Sequence, residues 1–119
     1  MKLFTKAQET TLRTNWTRNA EHEERTGKAR ECRPVVKLFC PWGAATWLIS
    51  EMNPTNPDVL FGLCDLGHGE PELGYVSRKE LEALRGPGLL RIERDYWFTP
   101  DRYLSAYATD AARERRIVA

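Results

Sequence analysis

The sequence predicts an α+β domain, an antiparallel sheet of about five strands with three helices in the order α-β-β-β-β-α-β-α. Three observations predict it. Residues 35–76 hold four short apolar runs separated by breaks rich in Pro, Gly and Asn. Those breaks are shorter than the crossover of about a dozen residues that parallel neighbours require. The flanks carry helix-start signals, at Thr5, Ser77 and Thr99.

Each element follows from its own residues. Thr5 and Gln8 form a capping box for a first helix, and Leu12, Trp16 and Ala20 line one of its faces. That helix is expected to fade near Gly27. Residues 21–33 are almost wholly polar and read as a frayed helix end plus a solvated loop within a single domain over 1–119. Val35–Phe39, Thr46–Met52, Val59–Leu66 and Leu73–Val76 read as the first four strands. Pro41 and Gly43 make one turn, Asn53-Pro54 and Asn56-Pro57 another, and Gly67–Pro71 a third. Helices are expected on one face or end of this sheet. Ser77 and Glu80 make a second capping box, with Val76 and Leu81 in the flanking staple positions. Leu81 and Leu84 face inward, and Gly86-Pro87-Gly88 stops the helix. Leu89–Phe98 reads as a fifth strand, with Leu90, Ile92, Tyr96 and Phe98 on one side and Arg91, Glu93, Asp95 and Trp97 on the other. Thr99 then caps a last helix with Pro100 at its first position, and Leu104, Tyr107, Ala108 and Ala111 form its inner face.

At 119 residues the chain is one domain, long enough to bury a core without disulfides. No apolar run approaches the roughly 18 residues of a membrane span, so no membrane partner is expected. The opening MKLFTKAQETTLR lacks the apolar stretch of a secretory leader. Cys32, Cys40 and Cys64 are odd in number and widely spaced, which points to reduced thiols and a cytoplasmic setting. Cys64 and His68 make one close pair, short of the paired spacings of zinc sites, so neither metal nor cofactor is expected.

The net charge of +1 is unevenly spread. Residues 1–34 carry +3, residues 35–76 carry −4, and residues 77–119 carry +2. The total excludes a generic polycation. The segmentation predicts an acidic sheet region beside basic helical flanks.

Three constellations are candidates for function. Lys37, Glu51, Asp65, His68 and Glu70 would serve acid–base or metal chemistry if they converged, since neighbouring carboxylates raise one another's pKa. Solvated strand edges, a snorkelling Lys37 and a polar loop around His68 explain the same residues without chemistry. Trp42 in a turn, Trp97 beside Arg91, and the loop carboxylates Glu70 and Glu72 form a candidate binding surface. Arg13, Arg18, Arg113, Arg115 and Arg116 on the outer helices would contact nucleic acid, although acidic residues are interleaved with them. No phosphate loop, nucleophile elbow, HNH or H-E-x-x-H pattern occurs.

The segments PVVKLF, ATWLISEMNP, KELEALRG, ERD and YLSAYA, and above all FGLCDLGHGEPELGYVS, resemble the domain-of-unknown-function 2958 family over nearly the whole chain. Residues 21–33 depart from that pattern, being longer and more charged. The resemblance implies a compact bacterial protein of plasmids and other mobile elements, and no catalytic residues. The expectation is therefore a non-enzymatic binding or accessory protein, in a counter-defence setting, whose partner is a protein or a protein–nucleic-acid complex. The alternatives are a small hydrolase or metal-dependent enzyme built on the Lys37 group, and a nucleic-acid-binding module built on the helical arginines.

Overall fold

The computed structural model describes residues 3–119. Its elements are α1 (Lys6–Thr26), β1 (Val36–Phe39), β2 (Thr46–Met52), β3 (Val59–Asp65), β4 (Glu72–Ser77), α2 (Arg78–Ala83), a 3-10 turn (Pro87–Leu89), β5 (Glu93–Arg94) and α3 (Leu104–Glu114). The strands form one antiparallel sheet in the order β4-β3-β2-β1-β5. This is the α+β architecture and element order that the sequence predicts.

Both faces of the sheet are covered, which corrects the one-sided arrangement. The cause is visible in β2, where Trp47, Leu48, Ile49 and Ser50 are all buried. A strand apolar on successive residues has no face to give to water. Trp47 and Ile49 pack with Leu12 of α1 and Leu81 of α2. Leu48 and Leu63 pack with Leu104, Tyr107 and Ala111 of α3 on the other side.

The capping box of α1 forms in full, Thr5 accepting from the Gln8 N–H at 3.1 Å and Gln8 from the Thr5 N–H at 2.9 Å. The helix holds to Thr26 and closes on Gly27 in the left-handed region. Residues 28–35 then form a strap tied to both outer helices. Arg30 donates to the Asn19 side chain at 2.9 Å, and the Cys32 carbonyl accepts from the Leu104 N–H at 2.8 Å. Ser77 caps α2 and donates in turn to Asp58, which also accepts the Lys79 N–H at 2.8 Å. These bonds hold the Asp58 carboxyl below its ordinary range, the Lys79 N–H foremost.

Two expectations at the C-terminal end are corrected. The fifth strand spans two residues rather than ten, because only Glu93 and Arg94 lie in register along β1, opposite Phe39 and Leu38, with the Asp95 N–H reaching the Lys37 carbonyl just beyond them. Alternation alone cannot make a strand without a neighbour to bond. Ile92 is buried, whereas Leu90 and Tyr96 are exposed. Helix α3 begins after Tyr103, not after Thr99. Tyr107 Oη donates to Asp101 at 2.8 Å and accepts its N–H, and the Arg102 guanidinium stacks 4.3 Å from the Tyr107 ring. Those contacts hold residues 99–103 in an extended approach to the helix.

Trp42 is half-buried rather than free. Its indole lies so close to Gly86 that a β-carbon there would sit 2.3 Å from Trp42 Cδ2. Gly86→Ala is expected to push the indole off the domain and to lower stability by roughly 1–3 kcal/mol. Urea denaturation followed by tryptophan emission checks both effects, and an unchanged midpoint with unshifted emission contradicts the packing.

Candidate functional site

The sequence-predicted acid–base group is scattered. Thr46 of β2 pairs with Asp65 of β3, while Glu51 pairs with Phe61. Four steps along β3, from Phe61 to Asp65, therefore separate the two carboxylates, roughly 13 Å at strand rise. Lys37 lies on β1, where it donates to the main-chain oxygen of Ala119 at 2.8 Å and pairs with Asp95 at 3.6 Å. His68 and Glu70 sit exposed in the loop between β3 and β4.

Asp65 is buried and accepts two backbone N–H groups, from Gly67 at 2.8 Å and Ile117 at 3.0 Å. It ties the turn after β3 to the C-terminal tail, a structural assignment. Among the described residues no group of three His, Cys, Asp or Glu side chains is placed to hold a metal.

The surface candidates also separate. Trp97 is 92% exposed and Arg91 is exposed, near β5. Glu72 begins β4 at the opposite edge of the sheet. Of the helical arginines, Arg13 is half-buried with its guanidinium 3.9 Å from Met52 Sδ, and Arg113 pairs with Asp110 at 3.1 Å. Arg115 caps α3 in the left-handed region, its side chain beside Gly69, while Arg18 and Arg116 are exposed.

What the structure does assemble is a cavity of about 350 Å³ between α1, the 28–35 strap, the sheet and the start of α3. The strand registers line Glu51, Phe61 and Tyr75 in one cross-strand row over β2, β3 and β4. A register slip between Ile49 and Glu51 makes this row possible. Such a bulge sends the next side chain to a new face. Asn15 of α1 donates to the Ser50 carbonyl at the slip, at 3.0 Å, and so fixes the helix beside it. The next residue, Trp16, stands 6.1 Å from the Tyr75 ring, and Phe61 meets Tyr75 edge-on at 5.1 Å. Glu23 and Arg30 complete the lining, with Glu31, which accepts from Ser105 at 2.6 Å.

Burial raises the Glu51 carboxyl above its ordinary value, against the pull of Asn19 and Arg30, and Glu23 adds to the rise. The Cys32 thiol is also raised, chiefly by burial, which makes it a poor nucleophile. Cys64, on β3, is pushed up to about 11 by burial. The raised Glu51 has a sign that can be tested. The folded state holds this proton more tightly than the unfolded chain, so stability falls as pH rises from the unfolded pKa through the folded one, then levels off. Glu51→Gln is expected to be more stable than the parent at neutral pH, with the gap closing as pH falls through the carboxylate range. Thermal melts over pH check it, and a pH-independent gap would contradict the assignment.

Sequence reasoning picked Glu51 but not its surroundings. In the sequence Trp16 lies on one face of the first helix, Tyr75 within the fourth strand, and Glu31 and Cys32 in the polar stretch 21–33. No local signal marks a wall shared by four elements.

The edge of the sheet beside this cavity is free. The Arg78 N–H donates to the Asp58 carbonyl at 2.8 Å, which sets the phase of the β3–β4 ladder. Alternation then turns the N–H and C=O of Leu73 and Tyr75 away from β3. Both side chains are exposed, Tyr75 by 68%, and among the described residues no other segment hydrogen-bonds this edge. No helix among the described residues is long and apolar enough to cross a membrane.

A family model described as a protein of unknown function, DUF2958, matches residues 3–118. No curated protein and no solved structure matches the chain.

Proposed function

The chain belongs to the DUF2958 family, whose description assigns no activity, and on that premise we propose that it is a non-enzymatic binding module that captures an extended protein segment along β4. The observation that carries this reading is the unpaired outer edge at Leu73 and Tyr75. Four main-chain groups there await partners, and an added strand satisfies them. Natural sheets usually protect such an edge with charge, proline or a covering loop. Here the edge carries an exposed leucine and an exposed tyrosine. Glu70 and Glu72 precede it, so a segment bearing basic residues is the complementary occupant. An accessory role on a mobile element, acting against a host protein or protein–nucleic-acid complex, is the setting that the family resemblance implies.

Hydrogen exchange tests the reading with a capped hexapeptide alternating threonine and lysine. Binding is expected to protect the Leu73 and Tyr75 amides, whose partners would be the added strand. Leu73→Pro removes an outward donor while sparing every bond to β3, and is expected to abolish binding with little change in melting temperature. Protection confined to other elements would overturn the proposal, as would undiminished binding by a folded Leu73→Pro variant.

A further inference from the structure

We propose that the cavity between α1, the strap and the β2–β4 row is a binding site for an organic cation, an ammonium or guanidinium group carried on a short aliphatic stem. The cavity is large enough for such a group, at about 350 Å³. Three aromatic rings line it: Trp16, Tyr75 and Phe61 stand with neighbouring ring centroids 6.1 and 5.1 Å apart. Aromatic faces attract cations through their quadrupole, most strongly where water is excluded.

The charge around the cavity has the matching sign. Glu23, Glu31 and Glu51 face one guanidinium, that of Arg30. Arg30 is itself engaged with Asn19. Among the described residues none of the three carboxylates forms an ion pair within 4.0 Å. Glu51 is half-buried beside the rings, and Asn19 and Arg30 offset only part of the cost of holding its charge there, since its carboxyl stays raised. A cation seated between Glu51 and the aromatic row offsets it. The same arrangement disfavours anions, and the aliphatic flank of Leu73 and Leu104 suits the stem.

This site borders the β4 edge and shares the Leu73 and Tyr75 side chains with it, but a free amine would fill it without any added strand. Two sources share the chemistry, a free alkylamine and a lysine or arginine side chain on a partner. Calorimetric titration of the full chain uses choline against 3,3-dimethylbutan-1-ol, which has the same shape without the charge. Choline is expected to bind at least about tenfold more tightly than the neutral compound, within the range of a partly desolvated cation–π contact. Glu51→Gln is expected to remove most of that preference while leaving the neutral compound unaffected, and added salt should act in the same direction. Glu23→Gln, at the exposed rim, provides a second variant should Glu51→Gln alter the fold.

A capped lysine, Nα-acetyl-lysine methylamide, set against n-butylammonium separates the sources. Tighter binding of the capped lysine assigns the site to a protein side chain, and tighter binding of the free amine to a small metabolite. Equal affinity for choline and its neutral counterpart, or the absence of saturable binding by every cation at millimolar concentration, overturns the inference. Cation binding, together with Leu73 and Tyr75 amides left unprotected by the hexapeptide, would support this site and count against the β4 reading alone.

Discussion

Gly62→Ala is expected to remove at least about 4 kcal/mol of stability, a large share of the ~5–15 kcal/mol available to a domain. Gly62 pairs with Ile49 in the middle of the sheet, next to the register slip. A β-carbon there would lie 2.1 Å from the Leu48 carbonyl oxygen and 2.9 Å from Ile49 Cα. Both are backbone atoms of a strand buried on two faces, so neither can move aside alone. Relief requires β2 and β3 to separate where the two core clusters meet across the sheet. Gly74 is the internal control. It sits opposite Gly62 on β4, yet a β-carbon there meets nothing within 4 Å. Urea midpoints should show Gly74→Ala near or above the parent and Gly62→Ala far below it or unfolded. Equal midpoints for the two alanine variants would show that the close approach does not exist in solution.

Asp65→Ala is expected to lower stability by roughly 2–4 kcal/mol, the range for losing charge-assisted bonds and stranding a buried donor. The Ile117 N–H is the stranded donor, since its bond to Asp65 is buried. The melting temperature should fall by roughly 8–15 °C for a domain of this size. Loss of protection at the Ile117 amide in hydrogen exchange distinguishes this anchoring role from a catalytic one. Glu70→Ala, on the exposed loop, should stay within about 0.5 kcal/mol of the parent. An Asp65→Ala variant as stable as Glu70→Ala would return Asp65 to the list of free carboxylates.

These two residues show where local reading succeeds and where it stops. Thr46–Met52 is recovered to the residue, because β-branched and aromatic side chains with turn residues at both ends leave no other economical conformation. The Thr5–Gln8 box is recovered because donor and acceptor lie three residues apart. The fifth strand fails for the opposite reason. Its alternation is local, but its length depends on how much of the segment the tertiary fold lays along β1. The start of α3 fails in the same way, since the Cys32 carbonyl and the Tyr107 hydroxyl decide which residues before Leu104 stay extended.

The acidic segment makes the point for function. Its five carboxylates look alike in sequence, and the fold gives them different work. Asp58 caps α2, Asp65 anchors the tail, Glu51 enters the aromatic cavity, and Glu70 and Glu72 stay in water. The residue types were legible. Their convergence was not, because register and one bulge set it.

By itself the sequence determined the class of fold, the order of its elements, the family resemblance and the absence of a familiar catalytic motif. All of these rest on residues close together in the chain, where periodicity and capping act. Only the tertiary structure decided that Trp16, Glu51, Phe61 and Tyr75 share a wall, that Asp65 is an anchor, and that the outward bonds of β4 are open. Each depends on strand pairing and helix packing between distant segments, and a shift of one residue in register would have turned the same side chains to the opposite face.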